Sequence, residues 1–303
     1  MTHLSTLTRV RIQLALRNKM FFFFSVIMPL GFFFLYSGVF AKGEPHAVSY
    51  LLGEVLALNV MGSFWGLSAA LVSFREQGIL RRFHVTPVTA GDMLLSSILA
   101  SFVLTLPTVV VELLLARFVF HVPSLGNVFT LLVLVGIGTI SFGSMGLVVA
   151  SVTNTMQETQ IINQIIWLPL IFLSGATVPL LYLPKVVQKI GLFLPATYLV
   201  SGLIEATFRS ASLWAVRIAL VSLVVWAVLT FLVSAQLFRW EPEAKIPRRA
   251  KLIALSTVLP FVLLGLWELR NGDLILKAQS NSHFLEQLQQ MEKAAQKASQ
   301  ANQ

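Results

Sequence analysis

Apolar residues run through this chain in long unbroken blocks, not in the alternating or one-sided patterns of soluble strands and helices. A helix needs roughly 20 apolar residues to cross a bilayer at 1.5 Å per residue. Seven blocks come near or above that length: 20–41, 51–74, 93–118, 127–152, 161–180, 213–238 and 252–269. The first holds Phe21 to Phe24 and Phe32 to Phe34. The last is the shortest and carries Pro260, Trp267 and Glu268. The expected fold class is all-α and integral to a membrane.

The segments between and around these blocks carry weaker patterns. In 1–19, Leu4, Leu7, Val10 and Leu14 recur at helical spacing among Arg9, Arg11, Arg17 and Lys19. This predicts a helix lying in the membrane interface, its basic face toward lipid head groups. A cleaved leader is the competing reading, since Val39-Phe40-Ala41 loosely resembles a cleavage site. The apolar run of about 21 residues, however, exceeds the roughly 7–15 of a signal core. Segment 181–212 is long yet apolar, and Pro184 and Pro195 divide it into pieces too short to cross. It fits either two short helices folded back at Pro195 or a collapsed amphipathic loop. From Arg270 the chain turns polar. Phe284, Leu288 and Met291 form a narrow stripe there, compatible with a weak helix or with disorder. The expected organisation is an interfacial helix over 1–19, a membrane domain over 20–250, a further apolar segment over 251–269 and a polar tail over 270–303.

Composition sharpens the choice of solvent. Apolar residues make up 56% of the 303 and charged residues 12%, about half the roughly 25% usual in soluble domains. The net charge of +9 would hint at nucleic acid in a soluble protein; here it reports cytoplasmic loops, and no nucleic-acid partner is expected. With the N-terminus inside, the inner connections hold twelve lysines and arginines and the outer ones six, which favours that orientation. Seven spans would leave the tail outside, and six would leave it inside. The absence of cysteine excludes disulfides and thiolate chemistry.

Candidate chemistry is sparse. No G-x-x-x-x-G-K-[ST] phosphate loop or H-E-x-x-H occurs, and the five histidines are scattered, so neither an enzyme nor a metal site is expected. Glu112 lies well inside the third block, and Glu54 four residues into the second. An intramembrane carboxylate is costly and marks function by default. Asn59, Asn163 and Gln164 add polarity. The alternative for Glu112 is a structural pairing between helices. Gly62, Gly66 and Ala70 fall four apart, as do Thr139 with Gly143 and Gly146 with Ala150. Such faces let helix backbones approach closely, within the chain or against a second subunit.

Four stretches carry a family likeness: the entry "ALRNKMFFFFSVIMPLGFFF", the loop "FREQGILRRFHVTPVTAGDMLLSSIL", the run from Asn154 to Ala206 with "SGATVPLLYLP" and "LPATYLVSGLIEA", and the block closing at Arg239. Over about residues 5–238 the chain resembles the membrane permease subunit of ABC type-2 exporters. The resemblance implies a six-span bundle; segment 252–269 is then a departure, a seventh span beyond the usual six. It implies ATP hydrolysis by a separate ABC ATPase subunit that holds ATP and Mg, with no cofactor on this chain. It also implies a second permease, identical or related, in a bacterial inner membrane.

The loop at 75–86 would then be the coupling helix seated on the ATPase. Ile79, Leu80 and Phe83 would form its apolar stripe, Arg75, Arg81 and Arg82 its rim, with Glu76 in the first turn and Gly78 beside it. Gln157 and Glu158, with Asn154 and Gln160, would make a second, smaller contact. The folded-back segment, with Pro184, Pro195, Tyr198 and Glu205, would line or cap the outer exit. Phe numbers 23 against 4 Tyr and 6 Trp, leaving few aromatic platforms with polar edges, so a lipophilic drug-like or lipid substrate is expected over a polysaccharide. The alternative is a self-contained secondary transporter or channel using Glu112.

Overall fold

The computed structural model describes residues 2–19, 23–42, 44–241 and 248–281, together with His283, Phe284, Gln287 and Gln290. Helices α1 (Thr2–Arg17), α2 (Met28–Leu35) and α3 (Pro45–Glu76) open the chain. Two π-helical turns, Phe23–Ile27 and Tyr36–Phe40, flank α2. Pro29 sits in its first turn and cannot donate to the preceding carbonyls, which accounts for the irregular turn before it. After α4 (Ile79–His84) come α5 (Ala90–Phe118), α6 (Val128–Val152) and α7 (Met156–Leu173). Helices α8 (Lys185–Gly191), α9 (Pro195–Phe208), α10 (Arg217–Gln236), α11 (Arg248–Ser256) and α12 (Leu259–Asn271) complete the set. No strand occurs among the described residues.

The fold is all-α, with helices α3, α5, α6 and α10 each long and apolar enough to cross a bilayer. The stretch Arg249–Asn271, formed by α11 and α12, is a fifth. It pauses at Thr257–Val258 because Pro260 removes a backbone donor one turn on. Helices α8 and α9 are bent by 95° and reach a spanning length only as a pair. The block expected at 20–41 is a shorter apolar helix over Ser25–Phe40, its first residues lying outside the described ones. The expected fifth span, 161–180, is corrected. Its helix starts earlier, at Met156, where Thr155 accepts from the Glu158 amide, and stops at Leu173, with 174–179 non-helical. Polar Gln157, Gln160, Asn163 and Gln164 keep it from matching the other long helices. The second block is corrected too. Pro45 takes the first helical position, so α3 begins six residues before the expected start.

Helix α3 is the axis of the bundle, at 32 residues about 48 Å long. It packs along α6, which carries α10 on its far side, while α9 closes on the first half of α3. Small residues of α6 make this approach possible. A Cβ added at Gly146 would collide with the Phe64 carbonyl oxygen, and one at Gly143 would lie 2.8 Å from Leu67. The expected counterparts on α3 behave differently. Gly62 and Gly66 meet nothing within 4 Å and face away from α6, because the contact face of α3 is made by Ser63, Phe64 and Leu67. Helix α1 lies along α5. Its expected one-sided pattern is altered: Val10 and Leu14 are exposed, while Arg11 turns inward over the Phe74 ring and toward Met93. Burial pushes the Arg11 guanidinium down to about 10, still cationic at neutral pH.

The bundle has two distinct ends. At one, α3 finishes beside α4 and the turn joining α6 to α7. At the other, the start of α3 meets the folded-back pair: Tyr50 against Phe208, Gly53 against Ile204. Two side chains fix the 95° bend there. Thr197 donates to the Gly191 carbonyl at 2.6 Å and Tyr198 to the Leu192 carbonyl at 2.8 Å, satisfying the last turn of α8. Helix α12 brings the tail to this same end. Gly265 is pressed on Phe193, and Glu268 accepts from the Leu274 amide. Residues 274–281 are helical, and Asn281 bridges Arg209 and Glu205. Phe284 stacks under Arg209; Leu288 and Met291 lie outside the described residues.

The glycine geometry sets an expectation. Gly146→Ala should lower the melting temperature of the purified protein in detergent, at an overpacking cost of about 1–3 kcal/mol. Gly62→Ala, entering open space in a helix, should leave it unchanged or raise it slightly. Equal effects at both positions would contradict the packing described.

Candidate functional site

The turn between α6 and α7 concentrates the polar chemistry of the bundle. A helix ending leaves carbonyls without partners, and a helix starting leaves amides without partners. Residues 153–156 present both within four positions. Arg75, from the last turn of α3, answers the carbonyls. Its Nη1 donates to the Ala150 oxygen at 2.9 Å and its Nη2 to the Thr153 oxygen at 2.6 Å. Arg239, just past α10, donates from Nη2 to the same Thr153 oxygen at 2.7 Å and from Nη1 to Asn154 Oδ1 at 3.0 Å. Burial lowers the Arg239 guanidinium and the Glu158 carboxylate acts to raise it. Two cations thus sit on the negative end of the α6 dipole.

Carboxylates answer the amides. Glu76 Oε1 accepts from the Met156 amide at 2.8 Å, and Glu158 Oε2 from the Asn154 amide at 2.8 Å. Thr155 accepts from the Glu158 amide, a capping box shifted by one residue. Thr153 and Thr159 share a buried hydroxyl contact of 2.8 Å. The adjacent pair Arg75–Glu76 therefore reaches both helix ends at once. It fastens α3, α6 and α7, with Arg239 adding α10.

Gly78 then reverses the chain. Its φ of +67° is a left-handed conformation that favours glycine, and it separates α3 from α4. The expected docking stripe is corrected here. Leu80 is fully buried against Leu71, Met93, Leu94 and Leu147, with Phe83 packed on the same cluster. Ile79 is half-buried. The apolar side of α4 is the underside that seats it on its own bundle, and Arg75 is an internal clamp rather than part of a rim. What α4 presents outward is Arg81 and Arg82, with Glu76, Gln77, Val85 and Pro87 beside them. Val85 is 88% exposed. Gln157 is also exposed at this end.

The intramembrane polar residues divide. Asn59 Nδ2 approaches Glu112 Oε2 at 3.3 Å, joining α3 to α5, so Glu112 is paired within the bundle. Gln164 is exposed. Its neighbour Asn163 is the buried one, donating to Ser68 at 2.7 Å. Glu54 is fully buried, and neither of its oxygens has a hydrogen-bond partner among the described residues. Its importance was hidden in the sequence because the start of α3 was displaced. No group of three or more histidine, aspartate or glutamate side chains fit to hold a metal occurs among the described residues.

Long apolar helices, close small-residue contacts and polar chemistry concentrated at helix ends, with few polar pairs between helices, define a multi-pass helical membrane protein. Residues 2–208 match the ABC-2 type transporter family, and the chain belongs to that family. The match stops at the end of α9, so α10 to α12 lie beyond it. Among similar curated proteins is the inner membrane transport permease YhhJ of Escherichia coli K12, 27% identical over 158 residues, 52% of this chain and 41% of that one. The probable multidrug ABC transporter permease YbhS of the same organism is 23% identical over 191 residues, 63% of this chain and 48% of YbhS. The putative transport permease YvfS of Bacillus subtilis 168 is 24% identical over 212 residues, 66% of this chain and 83% of YvfS. The chain thus spans about half the length of the first two.

Removing the clamp should be expensive. Arg75→Ala strands the Ala150 carbonyl and leaves the Thr153 carbonyl to Arg239 alone, each lost bond from a charged donor contributing about 1.5–3 kcal/mol. Arg75→Lys should recover only part of it, because an ammonium does not reproduce the two-pronged geometry. Protease sensitivity of the 153–156 turn in the purified protein checks this; a turn as resistant in Arg75→Ala as in the wild type would contradict it.

Proposed function

We propose that this chain is the transmembrane subunit of an ATP-driven exporter in a bacterial inner membrane, paired with a second permease and moving a lipophilic substrate out of the cytoplasm. ATP and Mg are held by a separate ABC ATPase. The observation that carries this reading is the end of the bundle bearing α4: a short helix seated on its own core, turning Arg81, Arg82 and Val85 outward and tied through Arg75–Glu76 to three long helices. Such a basic, convex element suits an acidic-rimmed groove on a partner protein. Movement imposed on α4 would reach α3, α6 and α7 together, because their ends share hydrogen bonds that cannot stretch independently.

In this reading the N-terminus and α4 are cytoplasmic, and the folded-back pair with the tail is outside, α11–α12 supplying the extra crossing. The open face of α3 at Gly62 and Gly66, where a Cβ would meet nothing within 4 Å, leaves room for close approach of a second permease. The pairing of Glu112 with Asn59 favours a structural role for it over ion coupling, which weighs against a self-contained transporter.

Reversing the outward charges should separate the subunits. The variant Arg81→Glu with Arg82→Glu should insert normally yet lose co-purification with the ATPase by at least tenfold, and lose nucleotide-driven export with it. Undiminished pull-down would place the docking surface elsewhere.

A further inference from the structure

We propose that Glu54 is the recognition carboxylate for a cationic lipophilic substrate, an inference that rests on the export reading above. Glu54 lies about 14 Å along α3 from Pro45 at 1.5 Å per residue. It has no exposed surface. Its two carboxyl oxygens lack hydrogen-bond partners among the described residues. Leaving a buried polar group unsatisfied is costly, and such groups in a native protein demand a reason. Glu112 shows the ordinary solution, a neighbouring amide, and Glu54 lacks it.

The surroundings of Glu54 indicate what would complete it. The turn Tyr36–Phe40 packs on α3, and so does α9, with Gly53, next to Glu54, allowing contact with the Ile204 backbone. Tyr50 lies one helical turn before Glu54 on α3, and Tyr36, on the turn that packs on α3, donates to the Thr177 carbonyl at 3.2 Å. Ser37, beside Tyr36, is also buried with its hydroxyl unpartnered. One carboxylate with a serine hydroxyl and aromatic rings offers acceptors and π-faces in an otherwise apolar joint. That set suits an organic cation with an apolar body, its charge on the carboxylate and against the rings. It does not suit an inorganic cation, which needs several oxygen ligands. The joint is made by three separate segments, α2 with its trailing turn, α3 and α9, so their separation would open it without breaking a helix.

The test is direct binding to the full-length chain in lipid nanodiscs, with tetraphenylphosphonium as the cation and triphenylphosphine oxide as the neutral control. The wild type should bind the cation, and Glu54→Gln should weaken it at least tenfold while leaving the neutral compound unchanged. Glu112→Gln should leave cation binding as in the wild type. Failure of the wild type to bind, unchanged cation affinity in Glu54→Gln, or equal loss of both compounds would overturn the proposal. The export reading is judged separately. Nucleotide-driven export of a neutral compound by Glu54→Gln with the ATPase present would preserve it even if Glu54 proved irrelevant to cations.

Discussion

The bundle depends on how the backbone is satisfied where α6 stops and α7 starts. In a membrane protein a bare carbonyl or amide at such a turn is expensive, and water is not close at hand on the bundle side. The chain meets the need with charge of the matching sign on each helix end: Arg75 and Arg239 on the carbonyls, Glu76 and Glu158 on the amides. Because Arg75 and Glu76 are consecutive and close α3, the longest helix is fixed to the turn by its last two residues. The close contact of α3 with Gly143 and Gly146 of α6 then sets the rest of the interface.

Two consequences follow for the ends of the molecule. At the clamp end, α4 cannot move alone, since Leu80 anchors it in the core formed by α3, α5 and α6. At the opposite end the polar devices are of another kind. Thr197 and Tyr198 hold a sharp bend, and the tail returns over it through Asn281. One end ties three long helices together, and the other keeps short helices folded within apolar surroundings.

Much of this was legible in the sequence, for identifiable reasons. Long apolar blocks mark membrane helices because few soluble folds can hide them, and α3, α5, α6 and α10 lie where the blocks lie. Pro184 and Pro195 foretold the folded-back pair because proline starts short helices well and continues them badly. Three features were not legible. The inward face of α4 was hidden because a six-residue helix has too little periodicity to reveal which side it buries, so Leu80 looked available. Gly62 and Gly66 share their four-residue spacing with Thr139 and Gly143 and with Gly146 and Ala150, but spacing does not say which face meets a neighbour. Glu54 looked interfacial because hydropathy placed the start of α3 late, whereas Pro45 begins it before the apolar run does.

The central claim is that α4 and the α6–α7 turn travel as one body. The native chain lacks cysteine, so Gln77→Cys and Gln157→Cys, both at exposed positions, can be joined by a cleavable linker of about 10 Å, comparable to the interaxial spacing of packed helices. With the ATPase partner and ATP in liposomes, the linked protein should transport as fast as the unlinked one. Transport that stops on linking and returns when the linker is cut would mean that the two elements must part during the cycle, contrary to this account.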